Sequence, residues 1–267
     1  MGERARVSPS AFNTHRVVEG KGPCVVLIHG VGLDHAMWSA QAKALRKRFT
    51  VLRYDLLGHG DTPPPQGDLV LDDFVAQLAA LLDEEGIQRA HIVGFSLGAL
   101  IAQAFAIAHP DRLQRLVLIS GVYDRDGAAR RAVSKRLEQA EREGPGSIAD
   151  AALERWFSDA YRQAHRDEVQ TIERRLLANS PDGFLPAYRL FARTDDRLAE
   201  RLAEITIPVL VITGGDDTGS TPVMAQRMAK AMGNSQCRIF PGVRHMLPME
   251  AADELNAMLN EFLLSHE

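Results

Sequence analysis

The stretch HIVGFSLGAL, residues 91–100, narrows the folds open to this chain more than any other. An apolar strand-like run meets Gly94, Ser96 and Gly98, then continues as the apolar helix LGALIAQAFAIAHP, stopped at Pro110. A short apolar run that turns straight into an apolar helix fits a parallel strand buried on both faces, because helical crossovers cover both sides of such a sheet. The same alternation flanks it. THRVVEG, PCVVLIHG, FTVLRYD and LQRLVLIS read as strands, and WSAQAKALRKRF and DDFVAQLAALLDEEG as amphipathic helices. A right-handed succession of such units builds a mostly parallel sheet with helices on both faces.

From Tyr123 the pattern changes. Residues 123–205 contain no convincing strand; RRAVSKRLEQAERE, SIADAALERWFSDAYRQAH and RDEVQTIERRLLANS read as helices, with Gly144, Pro145, Gly146, Pro181 and Pro186 as breaks. Strand and helix then alternate again through IPVLVITGG, PVMAQRMAKAMG, QCRIFPG and AADELNAMLNEFLLS. The expectation is one α/β core, residues 1–122 and 206–267, split by a helical cap over 123–205. The triple proline at 63–65 is a rigid loop, and no internal repeat is present.

Bulk properties exclude several classes. A net charge of -4 offers no footprint for nucleic acid or an anionic membrane surface. The insertion's arginines, among them Arg130, Arg131, Arg174, Arg175 and Arg189, suggest a polyanion, yet residues 123–204 hold 15 Lys plus Arg against 16 Asp plus Glu. Solvated helix faces with i,i+4 pairs account for that balance. Cys24 and Cys237, the only cysteines, lie in apolar runs and read as buried free thiols. MGERARVSPSAF lacks the apolar core of a secretory leader, and no apolar run reaches membrane-spanning length, so a cytoplasmic location is expected. Homo-oligomerisation is left open.

Gly94-Phe95-Ser96-Leu97-Gly98 fits G-x-S-x-G, a strand-to-helix turn that displays a serine hydroxyl above a sheet edge. Strand and helix close around that turn, so side chains two residues before and after the serine would collide, and glycine is required at both. The following helix N-terminus favours negative charge nearby. A serine capping that helix is the plainer explanation; the strand before it and the helix after it favour a nucleophile. A serine hydroxyl needs a base to take its proton and an acid to orient that base, in the chain order acid then histidine. Past the insertion two histidines remain. His266 is one residue from the end, whereas His245 follows a strand in PGVRHMLPME and is the candidate base. Asp216 and Asp217, just past VLVITGG, are both candidate acids, with Asp124 in LISGVYD a third; each aspartate could equally cap a helix or shape a turn. The oxyanion formed on attack requires donors, expected from the N–H of Leu97 and from that of Val31 in HGVG. His29 and His59 read as loop-shaping residues.

HGVGLDHAMW, YDLLGHGDT, GFSLGA, GGDDTGSTP and PGVRHMLP, in this order, resemble the α/β-hydrolase superfamily, over essentially the whole core. The chain looks most like its 3-oxoadipate enol-lactonase and carboxylesterase-like branch. The resemblance lays a G-x-x-D acid loop on Gly214-Gly215-Asp216-Asp217 and so implies Asp217 as the acid; G-x-x-H falls on Gly242-Val243-Arg244-His245. The acid loop, Asp217-Thr218-Gly219-Ser220-Thr221-Pro222, is one residue longer than the lactonase D-x-x-T-P. The implied activity is hydrolysis of a small carboxylic ester or lactone by Ser96, His245 and Asp217, without cofactor or metal. Trp38, Trp156, Phe157, Phe184, Tyr188 and Met246 are candidates for the pocket wall, although each also suits plain core packing. The alternative activity is C–C hydrolysis of vinylogous diketones, whose enzymes carry a proline at the oxyanion turn that HGVGLD lacks. A binding protein that kept the fold and lost turnover is the remaining class.

Overall fold

The computed structural model describes residues 12–64, 67–194 and 198–265. Residues 1–11 of the amino-terminal segment read for a leader, Pro65 and His266 lie outside the described residues. Seven strands form one sheet: β1 (Arg16–Gly20), β2 (Cys24–Ile28), β3 (Thr50–Tyr54), β4 (Ala90–Phe95), β5 (Leu113–Ile119), β6 (Val209–Gly214) and β7 (Ser235–Phe240). Their order is β1-β3-β2-β4-β5-β6-β7; β1 pairs antiparallel with β3, and every other pairing is parallel.

Side chains alternate between the two faces at period two, and each face carries its own core. Val26, Ile92 and Leu116 point to one side, beneath α2 (Leu71–Glu84) and α3 (Leu97–Ala108). Val25, Val93 and Val117 point to the other, beneath α1 (Ser39–Leu45) and the closing helix Ala252–Leu264. At about 1.5–3 kcal/mol for each large apolar side chain buried, the two cores hold the sheet's carboxyl edge rigid. β7 is an edge strand, so Cys237 is only half-buried, contrary to expectation, while Cys24 is buried; both thiols are free. Burial pushes the Cys24 thiol up to about 12, with Glu85 adding to the shift. It stays protonated.

Between β5 and β6 the chain forms α4 (Gly127–Glu143), α5 (Ala149–Trp156), α6 (Asp159–Ala164), α7 (Arg166–Leu177) and α8 (Pro181–Arg193). Two boundaries differ from the sequence reading. Ser158 accepts a hydrogen bond from the Tyr161 N–H and caps a new helix, splitting SIADAALERWFSDAYRQAH in two. Pro186, taken as a break, lies inside α8. Its missing N–H costs one intrahelical bond; burial of Phe184, Ala187, Tyr188 and Phe191 holds the helix together nonetheless.

The insertion sits over the carboxyl edge of the sheet. Asn179 Nδ2 donates to the Gly32 carbonyl (2.9 Å), Arg175 pairs with Asp34 (2.9 Å), and the Met246 N–H donates to the Trp156 carbonyl (2.8 Å). Gly183 lies so close to Gly58 that a Cβ on it would stand 2.1 Å from the Gly58 carbonyl oxygen. The core side of each contact is a loop following β2, β3 or β7. After β6 come α9 (Pro222–Lys230), α10 (Leu247–Glu250) and α11 (Ala252–Leu264). No helix among the described residues is long and apolar enough to cross a membrane.

Candidate active site

Ser96 stands between β4 and α3 with φ 55° and ψ −112°, a backbone region that side-chain-bearing residues rarely occupy. Such strain persists only where the surroundings impose it. The Ser96 N–H donates to the Ile119 carbonyl at 2.9 Å, tying the turn to the end of β5. A Cβ on Gly94 would stand 2.3 Å from the Gly98 carbonyl oxygen, the strand–helix contact foreseen from sequence. Gly98 is constrained differently: its added Cβ would stand 2.3 Å from the Ile28 carbonyl oxygen and 2.7 Å from that of His29. The neighbouring strand β2, rather than β4, excludes a side chain there. Leu97 opens α3, where the first N–H groups have no intrahelical acceptor.

His245 and Asp217 arrive from the loops after β7 and β6. His245 Nδ1 lies 2.7 Å from Asp217 Oδ2, and both residues are buried. The other carboxylate oxygen, Oδ1, accepts the Gly219 and Ser220 N–H groups at 2.8 and 2.9 Å. The carboxylate is thus pinned on one side and offered to the imidazole on the other. The ring lies between Phe95 and Trp156, with centroids 5.0 and 5.9 Å away. Ser120 Oγ donates to the His245 carbonyl at 3.1 Å and anchors its backbone. Asp216, next in chain, is exposed. Asp124 is engaged by Arg227 and, at 3.7 Å, by Arg130.

The HGVG turn is braced from beneath. The Leu56 N–H donates to His29 Nε2 (2.9 Å), which assigns the ring proton to Nδ1, and Nδ1 donates to the Gly30 carbonyl (2.8 Å). Burial holds the His29 imidazole down at about 3, and the neighbouring His59, also buried, at about 4. Both are neutral struts at ordinary pH.

Ser96, His245 and Asp217 border one cavity of about 340 Å³, together with Val31, Trp156 and Tyr188. Four expected pocket residues lie elsewhere. Trp38 is fully buried in the core, edge-on to Phe95; Phe157 is fully buried and stacked on Tyr161. Met246, fully buried, packs into the same core. Phe184 borders a smaller adjoining space of about 30 Å³ with Val31, Trp156 and Tyr188. Aromatic and Met residues at a sheet edge satisfy a core as readily as a pocket, and only their direction distinguishes the two.

The arrangement joins a strained serine, a buried imidazole and a carboxylate fixed by its own loop, in the chain order of a nucleophile, acid and base. A sequence profile of the alpha/beta hydrolase family matches residues 25–258. The chain belongs to the α/β-hydrolase family. Within the family it is similar to the (E)-2-((N-methylformamido)methylene)succinate hydrolase of Acinetobacter baylyi, 31% identical over 93% of each chain. It also resembles 3-oxoadipate enol-lactonase 2 of the same organism, 28% identical over 86% of this chain and 85% of that one. The solved enol-lactonase from Burkholderia xenovorans LB400 superimposes with a TM-score of 0.88, at 29% identity, over 96% of this chain and 99% of that one. These findings put this α/β-hydrolase in the enol-lactonase-like branch.

Sequence reasoning missed several residues of the α/β-hydrolase site. Arg125, Arg136 and Arg155 all border the cavity that Ser96 and His245 line, although the insertion's charge balance is nearly neutral. A count over 82 residues, 123–204, cannot report which few side chains converge. Ser120 carried a weak signal, a polar residue ending the apolar run LVLIS; Asn179, which ties the insertion to the HGVG turn, carried none. His15, His35 and Asp55 also come together, away from the cavity, at metal-ligand spacing. His35 Nδ1 lies 2.8 Å from Asp55 Oδ1, and that hydrogen bond accounts for the pairing.

Proposed function

We propose that this protein is a serine hydrolase that cleaves a small carboxylic ester or lactone through an acyl-enzyme. The observation that carries the reading is the buried 2.7 Å contact of His245 with Asp217, bordering the cavity that also receives Ser96. His245 Nε2 takes the Ser96 proton as Oγ attacks the substrate carbonyl. The tetrahedral oxyanion is held by the N–H groups of Leu97 and Val31, where preorganised donors act with full strength out of water. The C–O bond to the alcohol breaks, His245 returns the proton to the leaving oxygen, and the acyl group remains on Ser96. A water deprotonated by His245 then attacks the acyl-enzyme and regenerates Ser96. In a lactone the leaving oxygen stays tethered to the acyl chain, so ring opening precedes release. Asp217 keeps the proton on Nδ1 and steadies the imidazolium. Relatives named as 3-oxoadipate enol-lactonases support the lactone half of this reading.

The helical insertion acts as a cap that forms one wall of the cavity and limits entry of water. The reading extends to a cytoplasmic enzyme, in keeping with two free cysteines. A fluorophosphonate probe tests the nucleophile: it labels Ser96, and Ser96→Ala abolishes both labelling and turnover. A panel of 4-nitrophenyl esters, simple lactones, an enol-lactone and a vinylogous diketone tests the bond. Absence of labelling with turnover retained in Ser96→Ala refutes the serine mechanism, and preference for the diketone replaces ester cleavage by C–C cleavage.

A further inference from the structure

The antiparallel pairing of β1 with β3 sets Arg16 opposite Tyr54, so the next residue outward, His15, stands against Asp55. The backbone fixes it there. The Asp55 N–H donates to the His15 carbonyl, and the His15 N–H donates to Thr62 Oγ1, both at 3.0 Å. His35 reaches the same point from the loop after β2. It opens a short 3-10 turn, His35–Trp38, whose Ala36 N–H is capped by the Asp34 side chain. The His35 N–H donates to Asp55 Oδ1 at 2.8 Å, and the Asp61 N–H donates to Oδ2 at 3.0 Å, so the buried carboxylate is held from both sides. Ligand atoms of His15, His35 and Asp55 thereby lie within 4.8 Å of one another, drawn from three separate segments.

The hydrogen bond between His35 Nδ1 and Asp55 Oδ1 explains why those two side chains meet, but it does not explain His15. The His15 ring lies tilted against His35, centroids 4.9 Å apart, and forms no hydrogen bond among the described residues. Asp61 Oδ2 stands 4.0 Å from His15 Nδ1, too far for one. We propose that His15, His35 and Asp55 hold a divalent transition-metal ion, zinc above all, with the exposed Asp61 carboxylate as fourth ligand. Two imidazoles and two carboxylates make a tetrahedral nitrogen–oxygen set of the kind zinc takes, whereas Mg2+ and Ca2+ prefer oxygen alone. The ion takes the place of the proton between His35 Nδ1 and Asp55 Oδ1, and that proton leaves to solvent. Bonds of about 2.0–2.1 Å set tetrahedral ligand atoms roughly 3.3 Å apart. From 2.8 Å, His35 and Asp55 need only widen slightly, while the His15 side chain, 37% exposed, is free to swing inward. None of the four residues borders the cavity that receives Ser96, so the ion's role is structural. It ties the chain ahead of β1 to the loops after β2 and β3, where the Leu56 N–H, next to Asp55, braces His29 beneath the HGVG turn.

Metal titration of the full chain, stripped with a chelator and dialysed, tests the site without reference to turnover. Calorimetry should show one Zn2+ bound per chain and no comparable binding of Mg2+. Co2+ in its place should give the intense visible absorption of tetrahedral ligation. Zn2+ should also raise the thermal unfolding midpoint by several degrees, as any ligand that binds only the folded chain must. His15→Ala and His35→Ala should each weaken Zn2+ by at least the roughly 10- to 100-fold that loss of an outer-shell partner costs, and should abolish the cobalt bands. His15→Ala leaves the His35–Asp55 hydrogen bond in place, so its loss of binding is read in a chain that still folds. His165→Ala, which removes an exposed histidine paired with Glu168 at 3.1 Å, should bind as the wild type does, and so should Ser96→Ala. A wild type that binds no Zn2+, or an octahedral cobalt spectrum, overturns the inference. So does Zn2+ binding that survives His15→Ala, or that is lost in His165→Ala or Ser96→Ala, since the metal is then an adventitious ion only or is held elsewhere.

Discussion

Replacing Asp217 by asparagine separates the proposed acid from its rivals, and the loop around it dictates how the variant must fail. Asp217 Oδ1 accepts two backbone N–H groups, and Oδ2 faces His245 Nδ1. Asparagine has the same shape but replaces one oxygen by an NH2. Turned toward Gly219 and Ser220, that NH2 would confront two N–H donors and leave them unpaired, at roughly 1–3 kcal/mol each. The amide therefore gives its oxygen to the backbone and its NH2 to His245. Nδ1 must then accept, the ring proton moves to Nε2, and the nitrogen that should deprotonate Ser96 is blocked. The imidazole stays in place in the wrong tautomer. Loss of this orientation costs on the order of 10⁴ in kcat, or about 5.4 kcal/mol of barrier at about 1.36 kcal/mol for each factor of ten. The assay is steady-state hydrolysis of 4-nitrophenyl butyrate by the wild type, Asp217→Asn, Asp216→Asn and Asp124→Asn, with thermal unfolding to verify folding. Asp216→Asn and Asp124→Asn should stay within tenfold of the wild type, since one side chain is exposed and the other engaged by Arg227 and Arg130. Activity within tenfold of the wild type in Asp217→Asn, or a 10⁴ loss in either of the others, refutes the reasoning.

Gly98→Ala forces a Cβ to within 2.3 Å of the Ile28 carbonyl, in a buried strand with no room to retreat; a loss of roughly 3 kcal/mol, at the upper end of overpacking costs, is expected in urea unfolding, and a loss under about 1 kcal/mol would contradict the packing account. Ser120→Ala removes the hydroxyl that anchors the His245 carbonyl; turnover should fall by about tenfold with a stability change near 1 kcal/mol, and unchanged kcat would show that the anchor is dispensable. Burial holds the imidazoles of His29 and His59 at about 3 and 4, below their unfolded value. The unfolded chain therefore binds more protons, so their contribution is complete above about pH 6.5 and is lost as pH falls, by up to about 1.4 kcal/mol per pH unit for each ring. Urea midpoints should drop steadily from pH 6.5 toward 4, and a flat profile over that window would exclude these two rings as neutral struts.

Much of this molecule was legible in one dimension. The strand–helix alternation is a property of local hydrophobic period, and each strand of the sheet overlaps a segment that reads as a strand, although only the central ones are continuous apolar runs. The elbow was readable because Gly94 and Ser96 answer to backbone constraints within one turn. Separating Asp217 from Asp216 needed either the family spacing or the structure, since adjacent aspartates after a strand look alike until one points inward. Pro186 illustrates the opposite failure: local propensity ended a helix that tertiary burial of Phe184, Tyr188 and Phe191 sustains.

The insertion was the least legible part, and the reason is geometric. Phe157 of the insertion, like Trp38 and Met246 of the α/β core beneath it, is apolar and near the sheet edge, a character equally served by a core or a pocket wall. Arg136 and Arg155 were hidden for a related reason: they are two charges among many in a balanced segment, on separate helices that meet only over the sheet edge. Period and motif spacing act along the chain, so they determined the sheet, the elbow, and the order in which Ser96, the Asp216-Asp217 loop and His245 follow one another. Which side chains converge above Ser96 depends on how five helices pack across long sequence separations, and contacts of that kind leave no periodic trace in the residues that make them.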